Sequence, residues 1–226
     1  MYNFVQLNRI YNFNITKAGF LKAEASGNIP KAERNNENIR GWSIDQLPEI
    51  GEKFGFLSEL SSITKPVVIS LIASKGGCLK TSIAFNLARI ISMNTTKKTI
   101  VVGLDYQCDI SNLLSHGELF NENLDENFNP EMLDQPVPLS LYDFFTDKNV
   151  KLDDLIQATD LPNLQYITES PQLNMLSEIL STKTKREHVL KTQVINELRK
   201  HYDFIIMDLS PSWSTLTTNA IVASDI

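Results

Sequence analysis

Ser74-Lys75-Gly76-Gly77-Cys78-Leu79-Lys80-Thr81 lies between an apolar run, Val67 to Ala73, and an amphipathic stretch that starts near Thr81. Adjacent glycines let a backbone turn tightly and aim its N–H groups at one point, and a following helix adds the positive end of its dipole. Such a loop binds an anion, phosphate above all. Lys80 would then reach the β- and γ-phosphates of a nucleotide, and the Thr81 hydroxyl would ligate Mg2+. The strict eight-residue pattern requires glycine where Leu79 stands, so the match falls one residue short. The competing reading is an ordinary two-glycine turn between strand and helix. Two aspartates weigh against it. Asp105 follows the run Thr99 to Leu104, and Asp208 ends the run from Phe204. Both would stand at strand ends, where ligands of a parallel sheet bind, and Asp208 suits an acid that holds magnesium through water. Either aspartate alone would read as a cap or loop residue.

The elements that must position these residues are readable from hydrophobic pattern. Val67 to Ala73 and Thr99 to Leu104 are apolar almost throughout, as buried parallel strands are. Leu164 to Thr168 is a shorter third strand and Phe204 to Asp208 a fourth. The spacing predicts a helix from about Thr81 with Ile83, Leu87, Ile90 and Ile91 on its buried face, and another across roughly Arg186 to His201. Strands alternating with helices imply an α/β fold built on a parallel sheet. About 115–162 reads as an acidic insertion, interrupted by Pro130, Pro136 and Pro138, with one or two short helices. Ser58 to Lys65 reads as a linker that separates residues 1–57 from residues 66–226.

As a set, Lys75-Gly76-Gly77-x-x-Lys80-Thr81, Asp105-x-Gln107 and Tyr202 to Asp208-x-Ser210-Pro211-Ser212 resemble the deviant P-loop ATPases of the ParA and MinD group. Leu216 to Asp225, Leu164 to Leu176 and Arg186 to Leu190 extend the likeness, which covers most of residues 66–226 apart from the acidic insertion. The resemblance implies ATP and Mg2+ as cofactors, bound by the loop from Lys75 through Gly76, Gly77, Cys78, Leu79, Lys80 and Thr81 to Ser82. Lys75 would cross a dimer interface to the partner's nucleotide phosphates. Ser82 would lie beside the α-phosphate, Asp105 would position or activate the attacking water, and Asp208 would support Mg2+. Tyr106 stands where the family carries proline, which bears on the orientation of Asp105. Cys78 reads as a packing residue of the loop. The resemblance also implies that the chain ends at Ile226 before the strands that complete such a sheet, so that residues 66–226 are a C-terminally incomplete ATPase domain.

Residues 1–57 predict a helix starting near Thr16, with Ala18, Leu21 and Ala25 on one face, that stops at Gly27 ahead of Pro30. Ser43 and Gln46 form a capping-box pair before another helix, with Pro48 delaying its start. Glu24-x-x-Gly27-Asn28-Ile29-Pro30 followed by Arg40-Gly41-Trp42-Ser43 resembles a MerR-like winged helix–turn–helix, a small, mostly helical domain that larger plasmid partition ATPases carry ahead of the ATPase. Lys17 and Lys22 on the helix, and Lys31, Arg34 and Arg40 on or near the wing, are the candidate DNA contacts. A solvated extension used in dimerisation is the competing reading.

The chain has 226 residues, 42% hydrophobic and 21% charged, in the range of globular proteins. Its net charge of −6 excludes a uniformly basic protein but hides a division. Residues 1–40 carry Arg9, Lys17, Lys22, Lys31, Arg34 and Arg40 against Glu24, Glu33 and Glu37. Residues 116–160 carry eleven acids against Lys148 and Lys151. A locally basic DNA-contacting face is therefore compatible with the total. Two cysteines, Cys78 and Cys108, are too few for a disulfide framework or zinc site. With no signal peptide and no apolar run of the roughly 20 residues a membrane span needs, a cytoplasmic, nucleoid-associated protein is expected. The resemblance implies a partition ATPase that forms a homodimer on ATP, binds operator and nonspecific DNA, represses its own operon, and is stimulated by a centromere-binding ParB-like partner. A DNA-binding repressor with a catalytically weak nucleotide fold is the alternative; so is a MinD-like cell-division ATPase, but no C-terminal amphipathic membrane helix is visible.

Overall fold

A computed structural model describes residues 1–36, 38–115 and 138–226. Its main feature is a five-stranded sheet in the order β3-β7-β4-β6-β5, with β3 at Val67–Leu71, β4 at Thr99–Leu104, β5 at Ile156–Ala158, β6 at Leu164–Ile167 and β7 at Phe204–Leu209. The pairs β3–β7, β7–β4 and β4–β6 are parallel. The β5–β6 pair is antiparallel, so the sheet is mixed, not purely parallel as expected. The expected four strands all form. The fifth comes from the stretch read as an insertion of short helices.

Strand alternation divides the core between the two faces of the sheet. Ile100, Val102, Leu104, Ile205, Met207 and Leu209 point to one side, where α6 (Leu141–Thr146), α7 (Leu173–Ser181) and α9 (Thr215–Ala223) cover them. Val101, Phe204 and Ile206 point to the other, against α4 (Lys80–Asn94) and α5 (Asp109–Ser115). The expected helix across Arg186 to His201 is irregular, with a 3-10 turn, a π turn at Lys191–Ile195 and then α8 at Asn196–Leu198.

The buried stripe of α4 is Ala84, Ala88 and Ile91; of the expected Ile83, Leu87, Ile90 and Ile91, Ile91 is buried and Leu87 partly so. Ile83 is 51% and Ile90 38% exposed. Small alanines let the helix axis lie close to the sheet, and close packing, not side-chain size, decides which face turns inward. In the acidic stretch, Leu141, Leu152 and Leu155 are core residues, so residues 140–158 belong to the sheet's packing and are not an appendage. The segment 116–137, with Pro130 and Pro136, lies outside the described residues.

Residues 1–57 form α1 (Phe4–Tyr11), α2 (Lys17–Ala25), an antiparallel hairpin of β1 (Glu33–Arg34) and β2 (Arg40–Gly41), and α3 (Leu47–Phe54). The sequence reading lacked α1, although Asn3 caps it and Gln6 returns the bond. As expected, Thr16 caps α2, Gly27 follows it at φ 74°, and Gln46 accepts from the Ser43 amide before a 3-10 turn delays α3. The buried face of α2 is Phe20 and Glu24; Ala18 and Ala25 are exposed. Phe20 is drawn inward by an aromatic cluster of Phe4, Phe13, Trp42 and Phe54.

The N-terminal part is pressed onto the end of α4. A methyl group at Gly51 would overlap the Met93 carbonyl oxygen, and one at Gly55 would overlap the Asn94 side chain. The Tyr11 hydroxyl sits between the carbonyls of Leu47 (2.9 Å) and Met93 (3.0 Å), and burial pushes its pKa well above the ordinary phenol value. Leu60 and Ile63, in the expected linker, pack against the core on the α4 side.

Candidate nucleotide site

Register places the site. Leu71, Asp208 and Gly103 are aligned across β3, β7 and β4. Adjacent strands lie about 4.8 Å apart, so the loop that follows β3, the carboxylate of Asp208 and the segment that follows β4 must converge. They surround a cleft of about 320 Å3 lined by Gly76 to Ser82, Asp105, Tyr106, Gln107, Asp109 and Pro211.

The phosphate loop has the backbone that its glycines require, with one exception to the residue pattern. Gly77 is left-handed at φ 75°. Leu79, standing where the strict pattern has glycine, is also left-handed at φ 59° and ψ 21°, and forms the N-cap of α4. An L-residue there costs about 1–2 kcal/mol. Leu79 gains no burial in return, being 67% exposed. The helix then begins at Lys80, and the amides of its first turn have no intrahelical acceptor. They face the cleft as donors for an anion.

Beneath the loop, Asp208 is 1% exposed, and neither carboxylate oxygen has a hydrogen-bond partner. Burial pushes its pKa up to about 6; Thr81 and Lys80 partly oppose this, while Asp105 and Asp109 add to it. An unpartnered buried carboxylate is costly, so the pair Thr81 and Asp208 fits a cation that would satisfy those oxygens. Asp105 is buried at the rim, and its Oδ1 accepts the Gln107 amide at 3.1 Å. Tyr106 is 45% exposed and lines the cleft.

One residue in this region escaped the sequence reading. Glu169, beyond the end of β6, is 4% exposed and accepts from the amides of Asp105 and Ser111. Burial pushes its pKa up to about 8, those two amide bonds oppose the shift, and Asp208 and Asp105 reinforce it. No short motif contains it; its only sequence signal is an acid directly after an apolar strand.

The predicted site residues thus fall into three groups. Gly76, Gly77, Cys78, Leu79, Lys80, Thr81, Ser82, Asp105 and Asp208 come together around the cleft. Lys75 is exposed on the same loop and does not line the cleft. Lys17, Lys22, Lys31, Arg34 and Arg40 are exposed on the N-terminal part, away from it. Two of these are engaged. Arg34 donates to the carbonyl and side chain of Asn38, and Arg40 donates from Nη2 to both oxygens of buried Glu24 while lying over the Trp42 ring.

The AAA domain family matches residues 66–226. The chain is 30% identical over 158 residues to the sporulation initiation inhibitor protein Soj of Bacillus subtilis, an alignment that covers 70% of this chain and 55% of Soj. It is 24% identical over 214 residues to SopA of Escherichia coli, covering 90% of this chain and 52% of SopA. A crystal structure of a plasmid partition protein from Borrelia burgdorferi superposes with a TM-score of 0.56 at 27% identity, over 72% of this chain and 63% of that one. The chain spans about half the length of the curated relatives it matches. No helix among the described residues is long and apolar enough to cross a membrane. Over residues 66–226 this chain belongs to the AAA domain family, and its P-loop α/β core is similar to that of ParA-type partition proteins.

Proposed function

We propose that the chain is the nucleotide-binding part of a ParA-type ATPase that acts in DNA partition, preceded by a DNA-binding winged helix–turn–helix over residues 1–57. One observation carries the ATPase reading: Asp208, buried with both oxygens unpartnered, lies against Thr81 at the foot of a glycine loop that opens a helix. The packing sets only Thr81 and Lys80 against that carboxylate, and a cation held there would satisfy its oxygens. Thr81 and Asp208 would hold Mg2+, which would supply neutralisation of the charge that develops in phosphoryl transfer. The loop amides and Lys80 hold the phosphates, Thr81 and Asp208 hold the cation, and Ser82 stands at the α-phosphate. Asp105 orients water toward the γ-phosphate. Lys75, free at the surface, reaches the nucleotide of a second subunit when two copies close face to face.

Two helices followed by a hairpin support the N-terminal reading, as does the SopA alignment, which extends through most of this chain. In this reading α2 presents Lys17 and Lys22 to a groove, and Lys31 and Arg34 contact phosphates beside it. Arg40 acts through Glu24 to fix the hairpin. DNA and a ParB-like protein are the partners, and repression of the chain's own operon follows from residues 1–57.

The experiment is titration of a fluorescent ATP analogue with and without Mg2+. The Lys80→Ala chain should bind about 10- to 100-fold more weakly, a loss of roughly 1.4–2.8 kcal/mol. Unchanged affinity refutes the phosphate-loop assignment. The residue types at Leu79 and Tyr106, which depart from the pattern, favour a second reading, a repressor with a weak nucleotide fold. Mg2+-dependent ATP binding without turnover, with DNA and partner present, would select it.

A further inference from the structure

A glutamate that is 4% exposed needs a physical reason, because acidic side chains are almost never fully buried unless partnered. Glu169 has partners from one segment only. Its Oε1 accepts the Asp105 amide at 3.2 Å, and its Oε2 accepts the Ser111 amide at 3.2 Å and the Ser111 hydroxyl at 3.3 Å. The Ser111 hydroxyl in turn accepts the Glu169 amide at 2.8 Å. Space for the side chain comes from Gly103 on β4, where any Cβ would overlap its Cγ. The carboxyl group thus spans the two ends of the segment 105–111, which carries Asp105, Tyr106, Gln107 and Asp109 into the cleft.

That segment is not at ease by itself. Cys108 is left-handed at φ 61°, a conformation that costs a non-glycine residue about 1–2 kcal/mol. Such a turn persists only where its surroundings over-determine it. Between its ends the segment has local bonds: the Gln107 amide to Asp105 Oδ1, and the Cys108 and Asn112 amides to the Asp105 and Cys108 carbonyls. Glu169 supplies the tie to another strand.

We infer that Glu169 is a positioning residue for hydrolysis: by clamping the Asp105 and Ser111 amides across Gly103 it sets where the Asp105 carboxylate stands over the phosphate loop. The inference rests on the reading of Asp105 as the residue that orients water. Glu169 itself does not line the cleft.

The test is a double-mutant cycle in the full chain, read as ATP turnover, as affinity for a fluorescent ATP analogue, and as hydrogen exchange of the 105–111 amides. Glu169→Ala should lower kcat about 10- to 100-fold, the loss expected when a reacting group is misplaced by about 1 Å. ATP affinity should stay within about threefold, since phosphate binding is made elsewhere. The 105–111 amides should exchange faster. Glu169→Gln keeps the shape but only one of the two acceptor oxygens, so it should hold one amide and give a turnover between those of Glu169→Ala and the starting chain. In the Asp105→Ala background Glu169→Ala should cost nothing further, the non-additivity of residues acting as one unit. Full turnover in Glu169→Ala, additive losses, or unchanged exchange overturns the proposal. Undiminished turnover in Asp105→Ala overturns the reading of Asp105 beneath it, and impaired Asp105→Ala with normal Glu169→Ala overturns the positioning role alone.

Discussion

Replacing Glu169 by glutamine should remove most of the fall in stability that the nucleotide-free protein shows between pH 6 and pH 8.5. In the unfolded chain a glutamate titrates at 4.5; folded, this one keeps its proton up to about pH 8, chiefly through burial. The folded state therefore binds the extra proton across that interval, and stability falls as pH rises through it. Integrating the two titrations from pH 6 to 8.5 gives a loss of about 2.5 kcal/mol from this one group. Asp208, folded at about 6 against 3.8 unfolded, adds only about 0.4 kcal/mol, since most of its shift is expressed at lower pH. Asp105, Asp208 and Cys108 are the titratable groups whose charge couples to Glu169, and none is changed by the substitution. At roughly 2–4 °C per kcal/mol for a chain of this size, thermal unfolding should drop about 5–10 °C over the interval because of Glu169. In Glu169→Gln that component disappears, and the difference between the two proteins cancels every titrating group that is not coupled to Glu169. Scanning calorimetry at four pH values without nucleotide measures it. Parallel curves for the two proteins would refute both the burial argument and the sign.

Two further substitutions test the backbone. Gly51→Ala forces a methyl group into the Met93 carbonyl at the α3–α4 contact and should cost about 3 kcal/mol in urea unfolding, the upper end for overpacking. Leu79→Gly should stabilise the chain by about 0.5–1 kcal/mol, because relief of a left-handed leucine outweighs the entropy of glycine and the side chain is 67% exposed. A destabilised Leu79→Gly would show that this leucine packs in solution.

Much of the sheet was legible because its strands are fully apolar and bounded by breakers. Ile100 to Leu104 and Phe204 to Leu209 are buried on both faces, and such runs carry their own signature. Which face of a helix is buried was not. In α4 the larger side chains, Ile83 and Ile90, invited an inward assignment, yet the sheet receives Ala84 and Ala88. In α2 weak alanine spacing hid the decisive residue, Phe20, whose burial depends on rings from three other segments. Both errors have one cause: periodicity reports that a helix has a preferred side, while its distance to the neighbour selects which side. The antiparallel β5 failed for another reason. Three residues are too short for alternation to register, and its position depends on a partner strand.

The site divides along a similar line. Residues that a bound phosphate would constrain through the backbone are spaced by geometry, so Gly76, Gly77, Lys80 and Thr81 stand out in order even with Leu79 breaking the pattern. Residues that hold the machinery in place are constrained only by their neighbours. Glu169 needs Gly103 on one strand and Ser111 on a helix, 66 and 58 residues away along the chain, and no window of sequence contains all three. The substitutions at Leu79 and Tyr106 then take on a narrower meaning. Leu79 keeps the left-handed turn that glycine would give, so the loop's donors remain aimed at the cleft. Tyr106 stands directly beside Asp105, in the segment that Glu169 ties at both ends. One buried carboxyl from beyond the end of β6 holds that segment at both ends, so its placement is fixed by distant packing and not by the segment's own residues.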